Sequence, residues 1–410
     1  MPSPSRTVRP SRRDLLTGSL GAAASAAAAA SAAAAASAAA AAGLPAGGLF
    51  AAGSDRIRIG LIGCGGRGTG AASQAASLHP GVVIAALGDL FADHLAETAA
   101  MLAGGIGVQF DCPSNRRFVG QDAWRQLVDS DLDAVILAAA PWSRPAHVTA
   151  AVARGLHIYC ERPAATDAAG VREVLAAFAE AGRRGLVIVS GLASRHHGPT
   201  ARTIQHIHAG GIGSPLRAVC RARVGASWQR PSRPEWTAEE CRHRNWVADP
   251  SLAGGLLVER HLDAIDRGLW ALGDACPVAA MPIGSAGRAG AAVRYRFADG
   301  RQLVAEIEVG AGGQSRTEDR VVGTLAAAEL CGHGTRGSRP GTNDLPGNNP
   351  WLACMGGFVD AIVSGGRGDG GKTLCRSTLV ALLGEAAVRS GREMSWRDTA
   401  GPAIDATATI

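Results

Sequence analysis

Lysine is nearly absent from this 410-residue chain. Lys372 is the only one, so arginine supplies almost all of the 41 basic side chains. We attribute this bias to a GC-rich genome, which also favours the codons of alanine and glycine. Any chemistry that depends on a lysine amine is therefore hard to place in this protein.

Aromatic residues make up 4% of the chain, and none of its nine cysteines forms a C-x-x-C pair. An odd number of cysteines argues against a complete set of disulfides, and we expect no metal site built from cysteine. The hydrophobic fraction of 47% is normal for a globular protein. It excludes a disordered, collagen-like or disulfide-framework chain.

The basic excess is concentrated at the start of the chain. The formal net charge is +6, and residues 1–50 hold four arginines against one acid, Asp14. The weak bias that remains does not argue for a nucleic-acid partner. No later segment reaches the apolar length of a membrane span, so we expect no stable span after processing.

The first 53 residues have the pattern of an export signal. Arg12 and Arg13 precede Leu15 and Leu16, and an alanine-rich stretch of low hydrophobicity follows. Paired arginines before such a stretch resemble a twin-arginine signal, which predicts an extracytoplasmic or secreted protein. The alternative is an alanine-rich leader with a chance arginine pair. A membrane anchor is disfavoured, because alanine gains little in lipid.

A glycine motif follows the first apolar run. Residues 57–62 predict a buried strand, and residues 69–78 predict a helix. The G-x-G-x-x-G between them needs its first glycine for the turn, its second for approach of a pyrophosphate and its third for helix packing. The predicted cofactor-binding residues in this loop are Gly63, Cys64, Gly65, Gly66, Arg67 and Gly68.

An acidic residue ends the second predicted strand, residues 82–87. Asp89 lies 21 residues beyond Gly68, where such an acid binds the ribose hydroxyls of NAD. Arg67 leaves NADP open, because a guanidinium near the ribose could hold a 2′-phosphate. Strand and helix patterns then alternate to residue 190, which predicts a Rossmann-type, doubly wound parallel sheet in an α/β fold.

The pattern changes after residue 216. Segments 217–224, 291–297 and 302–309 predict strands, and Ala298-Asp299-Gly300 predicts a hairpin turn between the last two. Residues 331–349, rich in glycine, proline and asparagine, predict a long surface loop.

Further motifs resemble the Gfo/Idh/MocA family of NAD(P)-dependent oxidoreductases, which act mostly on sugars, polyols and related compounds. The likeness extends over roughly residues 55 to 400. The residues that carry it are Ile136-Leu137-Ala138, Pro141, Arg144-Pro145, His147, Gly155-Leu156-His157, Glu161-Arg162-Pro163, Ile207 to Gly213, Arg244-Asn245-Trp246, Glu259 to Gly273 and Arg376 to Ser390.

This resemblance implies a domain order and an assembly. After the signal (1–53) we expect an NAD(P)-binding domain (54–190), a substrate and oligomerisation domain (191–375) and a C-terminal helix and tail (376–410). The second domain would be α+β, with an open, mostly antiparallel sheet, in a homodimer or homotetramer. The resemblance also implies cofactor contacts at Ala140, Pro141, Glu161 and Arg162.

The chain departs from the family at its reacting positions. The lysine of the family's E-K-P motif is Arg162, and the D-x-x-x-H-x-x-D pattern has Glu259, Asp263 and Asp266. The family's A-T-P threonine is Ala140, and Cys354-Met355 replaces a Glu-His pair. Arg162 keeps a positive charge but cannot relay a proton, because a guanidinium does not deprotonate.

We predict one helix over Glu259 to Gly273, with its three acids at i, i+4 and i+7. Adjacent carboxylates raise each other's pKa, so Asp263 can accept a proton near neutral pH. The catalytic candidates are therefore Arg162, Glu259 and Asp263. The alternative is a solvated acidic face with local arginine partners. His261 points elsewhere on this helix and fits a structural role, and the neighbouring pair His196 and His197 supplies alternative bases.

The loop from Trp228 to Trp246 combines tryptophans with arginines. Such side chains suit sugar binding, through stacking and hydroxyl hydrogen bonds, or packing over the sheet or an oligomer interface. The substrate-side candidates are Arg244, Trp246, His261 and Asp266.

These features predict an exported NAD(P)-dependent oxidoreductase that acts on a sugar, polyol or sugar derivative by hydride transfer, with NAD favoured. Two alternatives stay open. One is an NAD-assisted glycoside hydrolase or lyase of the same fold. The other is an inactive nucleotide- or sugar-binding relative, because the family's lysine and histidine positions are replaced.

Overall fold

The computed structural model describes residues 56–284, 290–310, 315–330 and 349–401. The predicted leader and nearly all of the predicted loop over residues 331–349 lie outside the described residues. Within the described ranges, no helix is both long enough and apolar enough to cross a membrane.

A six-stranded parallel sheet forms the first half of the structure, in the order β3-β2-β1-β4-β5-β6. This is the order of a Rossmann fold, whose ligands bind at the carboxyl edge where the order reverses, between β1 and β4. The strands are β1 (Ile57–Ile62), β2 (Val82–Asp89), β3 (Arg117–Val119), β4 (Ala134–Leu137), β5 (His157–Cys160) and β6 (Ile188–Ser190).

Helices connect these strands and cover the sheet. The central strands β1 and β4 are almost entirely buried, which explains why their sequences are apolar apart from Arg58. The helices are α1 (Gly66–Leu78), α2 (Ala92–Ile106), α3 (Ala123–Val128), α4 (Arg144–Ala153) and α5 (Ala168–Arg183). These elements confirm the alternating pattern predicted from the sequence.

The second sheet has seven strands in the order β12-β11-β7-β10-β9-β8-β13. Only the pair β7–β10 is parallel, so the predicted open, mostly antiparallel sheet is confirmed. Its strands are β7 (Pro215–Gly225), β8 (Ala279–Pro282), β9 (Gly290–Arg296), β10 (Gln302–Gly310), β11 (Arg316–Gly323), β12 (Ala327–Glu329) and β13 (Met394–Ser395). Gly300, with φ 84°, makes the predicted turn between β9 and β10.

Helices of the second half pack on both sheets. They are α6 (Gly198–His208), α7 (Ala238–Arg244), α8 (Pro250–Ala253), α9 (Leu256–Arg260), α10 (Leu262–Ala271), α11 (Pro350–Ser364), α12 (Lys372–Ser390) and α13 (Trp396–Ala400). α11 returns to the first sheet, where the rings of Phe358 and Tyr159 meet edge to face at 5.8 Å. α12 is buried along most of its length and packs on α9, α10 and the second sheet.

The single helix predicted over Glu259 to Gly273 is wrong. α9 ends at Arg260 and α10 begins at Leu262, because His261 leaves the helical conformation with φ −126° and ψ −2°. The His261 ring is 1% exposed, and its Nε2 lies 3.1 Å from the carbonyl oxygen of Cys220 on β7. The break changes the relative directions of Glu259, Asp263 and Asp266.

Candidate functional site at the carboxyl edge of the parallel sheet

The loop between β1 and α1 has the shape that its glycines predict. Gly63 has φ 99°, and a Cβ there would lie 2.3 Å from the backbone nitrogen of Ala139. A Cβ on Gly68 would lie 1.9 Å from the carbonyl oxygen of Gly63, whereas a Cβ on Gly65 would meet nothing within 4 Å. The first and third glycines thus allow close packing, and the second leaves an open surface beside the first turn of α1. This surface fits a dinucleotide pyrophosphate.

Asp89 connects this loop to the end of β2. Its Oδ2 accepts a hydrogen bond from the Cys64 backbone N–H at 2.7 Å, and its Oδ1 accepts one from the Phe91 N–H at 2.8 Å. A carboxylate oxygen has a second lone pair, so Asp89 can still accept from ribose hydroxyls. Burial raises the pKa of the Cys64 thiol, so this cysteine stays protonated in the loop.

Arg67 extends toward the end of β5. Its Nε lies 2.8 Å from Oε1 of Glu161, which is 7% exposed, and its Nη2 donates to Gln74. Burial raises the pKa of Glu161, and the charge of Arg67 opposes that rise. Since β4 and β5 lie on the opposite side of β1 from β2, this ion pair directs Arg67 away from Asp89.

Arg144 joins the loops that follow β4 and β5, and sequence reasoning did not assign it a role. Its guanidinium is buried and donates to the carbonyl oxygens of Ala139 and Pro163. These bonds hold Ala140 and Pro141 on one loop beside Glu161 and Arg162 on the next. Burial lowers the pKa of Arg144, and burial together with Arg144 lowers the pKa of His147 to about 3, so this histidine is neutral.

The three predicted catalytic residues come together beside these loops. Arg162 Nε lies 2.7 Å from Oδ2 of Asp263, and Arg162 Nη1 donates to the main-chain oxygen of Glu259 at 2.8 Å. The side chains of Arg162 and Asp263 are 28% and 36% exposed, so solvent and a small molecule can reach the pair.

The carboxylate of Glu259 has an altered proton affinity. Burial raises its pKa and the charge of Asp263 adds to the rise, while Arg162 and Arg144 oppose it. The predicted rise in pKa that one carboxylate causes in a neighbouring one therefore applies to Glu259. Asp263 itself lies against the opposite charge of Arg162. Its charge is the largest cause of the raised pKa of that guanidinium.

Asp266 lies away from this group of residues. It is 0% exposed, with Oδ2 at 2.9 Å from Arg195 Nε and Oδ1 accepting from the Ser377 hydroxyl at 2.7 Å. Arg195 and Arg376 also contact Asp274, which extends a buried network between α10 and α12. The predicted acidic row therefore does not form one face, and neither Asp266 nor His261 points into the solvent-accessible pair.

Arg244 lies beside the end of β2. It is 6% exposed and forms ion pairs with Asp93 at 2.9 Å and Glu240 at 2.8 Å, between the rings of Phe91 and Trp236. The loop from Trp228 to Trp246, hereafter the arm (residues 228–246), thus packs against the Rossmann domain. Trp246 meets Trp228 edge to face at 6.4 Å.

The alternative bases, His196 and His197, lie just after β6. His197 Nδ1 lies 2.8 Å from the Thr200 hydroxyl, and burial lowers the pKa of both His196 and His197. Cys354 and Met355 are fully buried residues of α11 that face the core. These residues support the packing around β6 rather than the Arg162–Asp263 pair.

A cavity of about 540 Å³ opens next to Asp89. Leu90, Phe91 and Gln121 line it from the Rossmann domain, and Trp236, His243 and Arg244 line it from the arm. The structure therefore places an open cavity near the end of the carboxyl edge where the predicted ribose acid lies.

No group of three or more metal-binding side chains occurs in the part of the chain that the structure describes. The eight described cysteines are free thiols. The site's polar groups are thus carboxylates, guanidiniums and backbone amides.

Comparison with known proteins supports this picture. Residues 57–189 match the Gfo/Idh/MocA model of an oxidoreductase family with an NAD-binding Rossmann fold. Inositol 2-dehydrogenase 3 of Saccharopolyspora erythraea is 30% identical over 164 residues, which are 40% of this chain and 44% of that protein. The chain thus matches less than half the length of this relative.

Solved structures share the fold over most of the chain. The scyllo-inositol dehydrogenase of Lactobacillus casei, solved with NAD(H) and scyllo-inositol, superposes with a TM-score of 0.64 at 16% identity, over 83% of this chain and 99% of that one. A levoglucosan dehydrogenase, solved with NADH and levoglucosan, gives 0.65 at 18%, with the same coverage. Over residues 57–189 the chain is therefore similar to the Gfo/Idh/MocA oxidoreductase family, with its NAD-binding Rossmann fold.

Proposed function

We propose that this protein is an NAD-dependent oxidoreductase that acts on a polyol, sugar or sugar derivative by hydride transfer. The observation that carries the proposal is the solvent-accessible Arg162–Asp263 pair, which lies beside the loops that hold the predicted cofactor residues. Support also comes from the inositol dehydrogenases among its relatives.

The residues present fit a dinucleotide. Gly65 and the first turn of α1 would hold the pyrophosphate, and Asp89 would bind the ribose hydroxyls. Arg67 forms an ion pair with Glu161, so the glycine loop places no cation beside Asp89 that could bind a 2′-phosphate. This favours NAD over NADP. Bound NAD would supply the hydride acceptor at a carbinol carbon.

The protein's own groups must orient the substrate and accept its hydroxyl proton. Arg162 would hold a substrate oxygen, because its guanidinium donates hydrogen bonds and remains charged. Because its Nε contacts Oδ2 of Asp263, we propose that Oδ1 of Asp263 is the atom that accepts the departing proton. Glu259, whose pKa burial raises, would hold the proton next.

The surrounding charges favour this direction of proton movement. Arg162 and the buried Arg144 place positive charge near the oxygen that becomes negative as its proton leaves. Fixed charges in a partly closed site stabilise such an oxygen more than water does. Neither arginine needs to change its protonation state.

We also propose that the protein is exported in the folded state and works as a homodimer or homotetramer. The export proposal rests on Arg12, Arg13 and the alanine-rich stretch that follows them. The assembly proposal rests on the open second sheet, whose uncovered face is rich in arginine and glutamate. Light scattering of the purified protein would measure the assembly.

The direct test is a substrate panel with purified protein and NAD. Myo-inositol, scyllo-inositol and levoglucosan would be added in turn, and NADH formation followed by absorbance. NADH that forms when one of these compounds is present, and not in its absence, supports the proposal. Cofactor binding without hydride transfer across a broad sugar panel would contradict it in favour of an inactive relative. Glycoside cleavage without NADH accumulation would contradict it in favour of the NAD-assisted hydrolase.

A further inference from the structure

The arm crosses the carboxyl edge of the parallel sheet. On one side of β1, Arg244 pairs with Asp93 just after β2. On the other side, His243 stacks on Trp142, which follows Pro141 at the end of β4, with ring centroids 5.3 Å apart and planes at 14°. Since the sheet order is β2-β1-β4, these two contacts lie on either side of the glycine loop.

The contact at Arg244 is strongly built. Its guanidinium lies 4.0 Å from the centroid of the Phe91 ring and 4.3 Å from that of Trp236, so an aromatic ring from each domain faces it. Two hydrogen bonds join it to Asp93, at 2.9 and 3.1 Å, and a third joins it to Glu240. Paired hydrogen bonds of this kind fix geometry as well as adding energy.

The cavity beside this contact continues the cofactor surface. Cys64 of the glycine loop donates to Asp89, and Leu90 is the first residue of the cavity wall. A dinucleotide with its pyrophosphate on the loop and its ribose at Asp89 therefore directs its adenine into this space. The volume of about 540 Å³ falls within the range of roughly 300–1,000 Å³ that is usual for small-molecule sites.

We propose that the arm is a strap that closes over the adenosine half of the bound dinucleotide, with the Arg244–Asp93 ion pair as its latch. This inference rests on the proposed cofactor binding and adds a second-domain gate to it. The cofactor binds and leaves only when the latch opens, so its exchange is slow.

Asp93→Asn and Arg244→Gln test the latch. The ion pair is proposed to act on the opening of the arm, which slows binding and release equally, so each variant should raise both NAD rate constants, with Kd within about twofold of the parent. The expected increase is about tenfold, the effect of losing roughly one charge-assisted hydrogen bond. Stopped-flow fluorescence with NAD, and its displacement by excess NADH, measure both rates without any substrate.

Arg242→Gln is the matched control. Arg242 lies on the same helix, α7, but pairs with Asp249 of the second domain. It should leave both rate constants unchanged. Thermal unfolding without cofactor would show that each variant is folded, and the exchanged pair Asp93→Arg with Arg244→Asp should restore slow exchange.

The outcomes separate this proposal from the proposed function. Equal rates in the parent and both latch variants would overturn the strap while leaving cofactor binding intact. A rise in the release rate alone would also overturn it, because Arg244 would then be a direct ligand contact. Absence of NAD binding in the parent protein would overturn both proposals.

Discussion

Arg162 and Asp263 form an ion pair in the solvent-accessible part of the candidate site. The guanidinium cannot give up a proton, so proton transfer falls to the carboxylates. Burial raises the pKa of Glu259, while Asp263 lies against the guanidinium of Arg162. The site therefore combines one fixed cation with two carboxylates in different environments.

Asp263→Asn should reduce turnover while leaving cofactor binding intact. The amide keeps the shape of the side chain but cannot accept the hydroxyl proton, a role that contributes about 10²–10⁴-fold in enzymes. Steady-state NADH formation and NAD titration would measure the two effects. Asp122→Asn, in an exposed pair with Arg125, is the control. Unchanged turnover would remove Asp263 from the mechanism.

The pH dependence should report Glu259. Because its pKa is raised, Glu259 ionises at a higher pH than an ordinary glutamate, and the site gains its second proton acceptor as pH rises through that value. We expect kcat/KM to increase with pH along an acid limb whose midpoint lies above the usual glutamate range. Glu259→Gln should remove this limb, and an identical profile in that variant would show that another group titrates.

Three local features support the fold around the site. The glycine loop is shaped by contacts between backbones, and the loops after β4 and β5 are joined by the buried guanidinium of Arg144. A third element, the network around Asp274, joins the segment after β6 to α10 and α12 through Arg195 and Arg376. The glycine loop depends on residues that have no side chain, and the other two features depend on a few specific arginines and acids.

Substitutions of the glycines should separate binding from folding. Gly68→Ala places a methyl group against the carbonyl oxygen of Gly63, so we expect a marked fall in Tm. Gly65→Ala meets no protein atom within 4 Å, so Tm should be preserved. NAD affinity should nevertheless fall about tenfold or more, because the methyl group occupies the surface that a pyrophosphate approaches.

Differential scanning fluorimetry and NAD titration would test both variants. Gly70→Ala is the control, since its methyl group also meets no protein atom within 4 Å and Gly70 lies in α1 beyond the glycine loop. Equal NAD affinity for the Gly65→Ala variant and the parent would argue against this placement of the cofactor.

Asp274 should stabilise the fold in a pH-dependent manner. Burial alone would raise its pKa, but hydrogen bonds from Arg195 and the charges of Arg195 and Arg376 outweigh burial and lower it. A lowered folded-state pKa contributes stability above the unfolded-state pKa, and this stability is lost as pH falls through the folded-state value.

Asp274→Asn should therefore cost about 1–3 kcal/mol at neutral pH, and the difference from the parent should shrink in acid. Asparagine tolerates the positive φ of 62° at this position, so the change isolates the charge. Denaturant unfolding at several pH values measures it, with the exposed Glu180→Gln as control. A difference independent of pH would contradict an electrostatic origin.

At the scale of the whole molecule, the two halves are continuous with each other. One buried cluster includes side chains of both sheets together with α10 and α12. A second contains the strands of the first sheet and Phe358 of α11, from near the end of the chain. The Rossmann half thus depends on residues that follow β12 in the sequence.

Export should depend on the arginine pair in the predicted leader. Arg12→Lys combined with Arg13→Lys keeps the charge but removes the paired guanidiniums that a twin-arginine signal requires. We expect the doubly substituted protein to remain in the cytoplasm of a bacterial host, while Arg6→Lys with Arg9→Lys is exported normally. Cell fractionation would measure this, and equal export of all forms would contradict a twin-arginine route.

The amino-acid sequence alone was enough to predict the Rossmann half, including the glycine loop and the position of Asp89. These features depend on local periodicity and on backbone geometry that only glycine allows, so nearby residues are sufficient to specify them. The family motifs also located Arg162 and Asp263, which the structure brings to within 2.7 Å of each other.

The break at His261, the burial of Asp266 and the position of Arg244 could not be predicted from the sequence and follow from contacts in the folded chain. Each depends on a partner far along the chain: Cys220 for His261, Arg195 and Ser377 for Asp266, and Asp93 for Arg244. A helical pattern in the sequence records which residues lie on one face, but not which distant side chain meets them. For this reason the acidic row, predicted as one surface, separates in the fold into a solvent-accessible pair and a buried network.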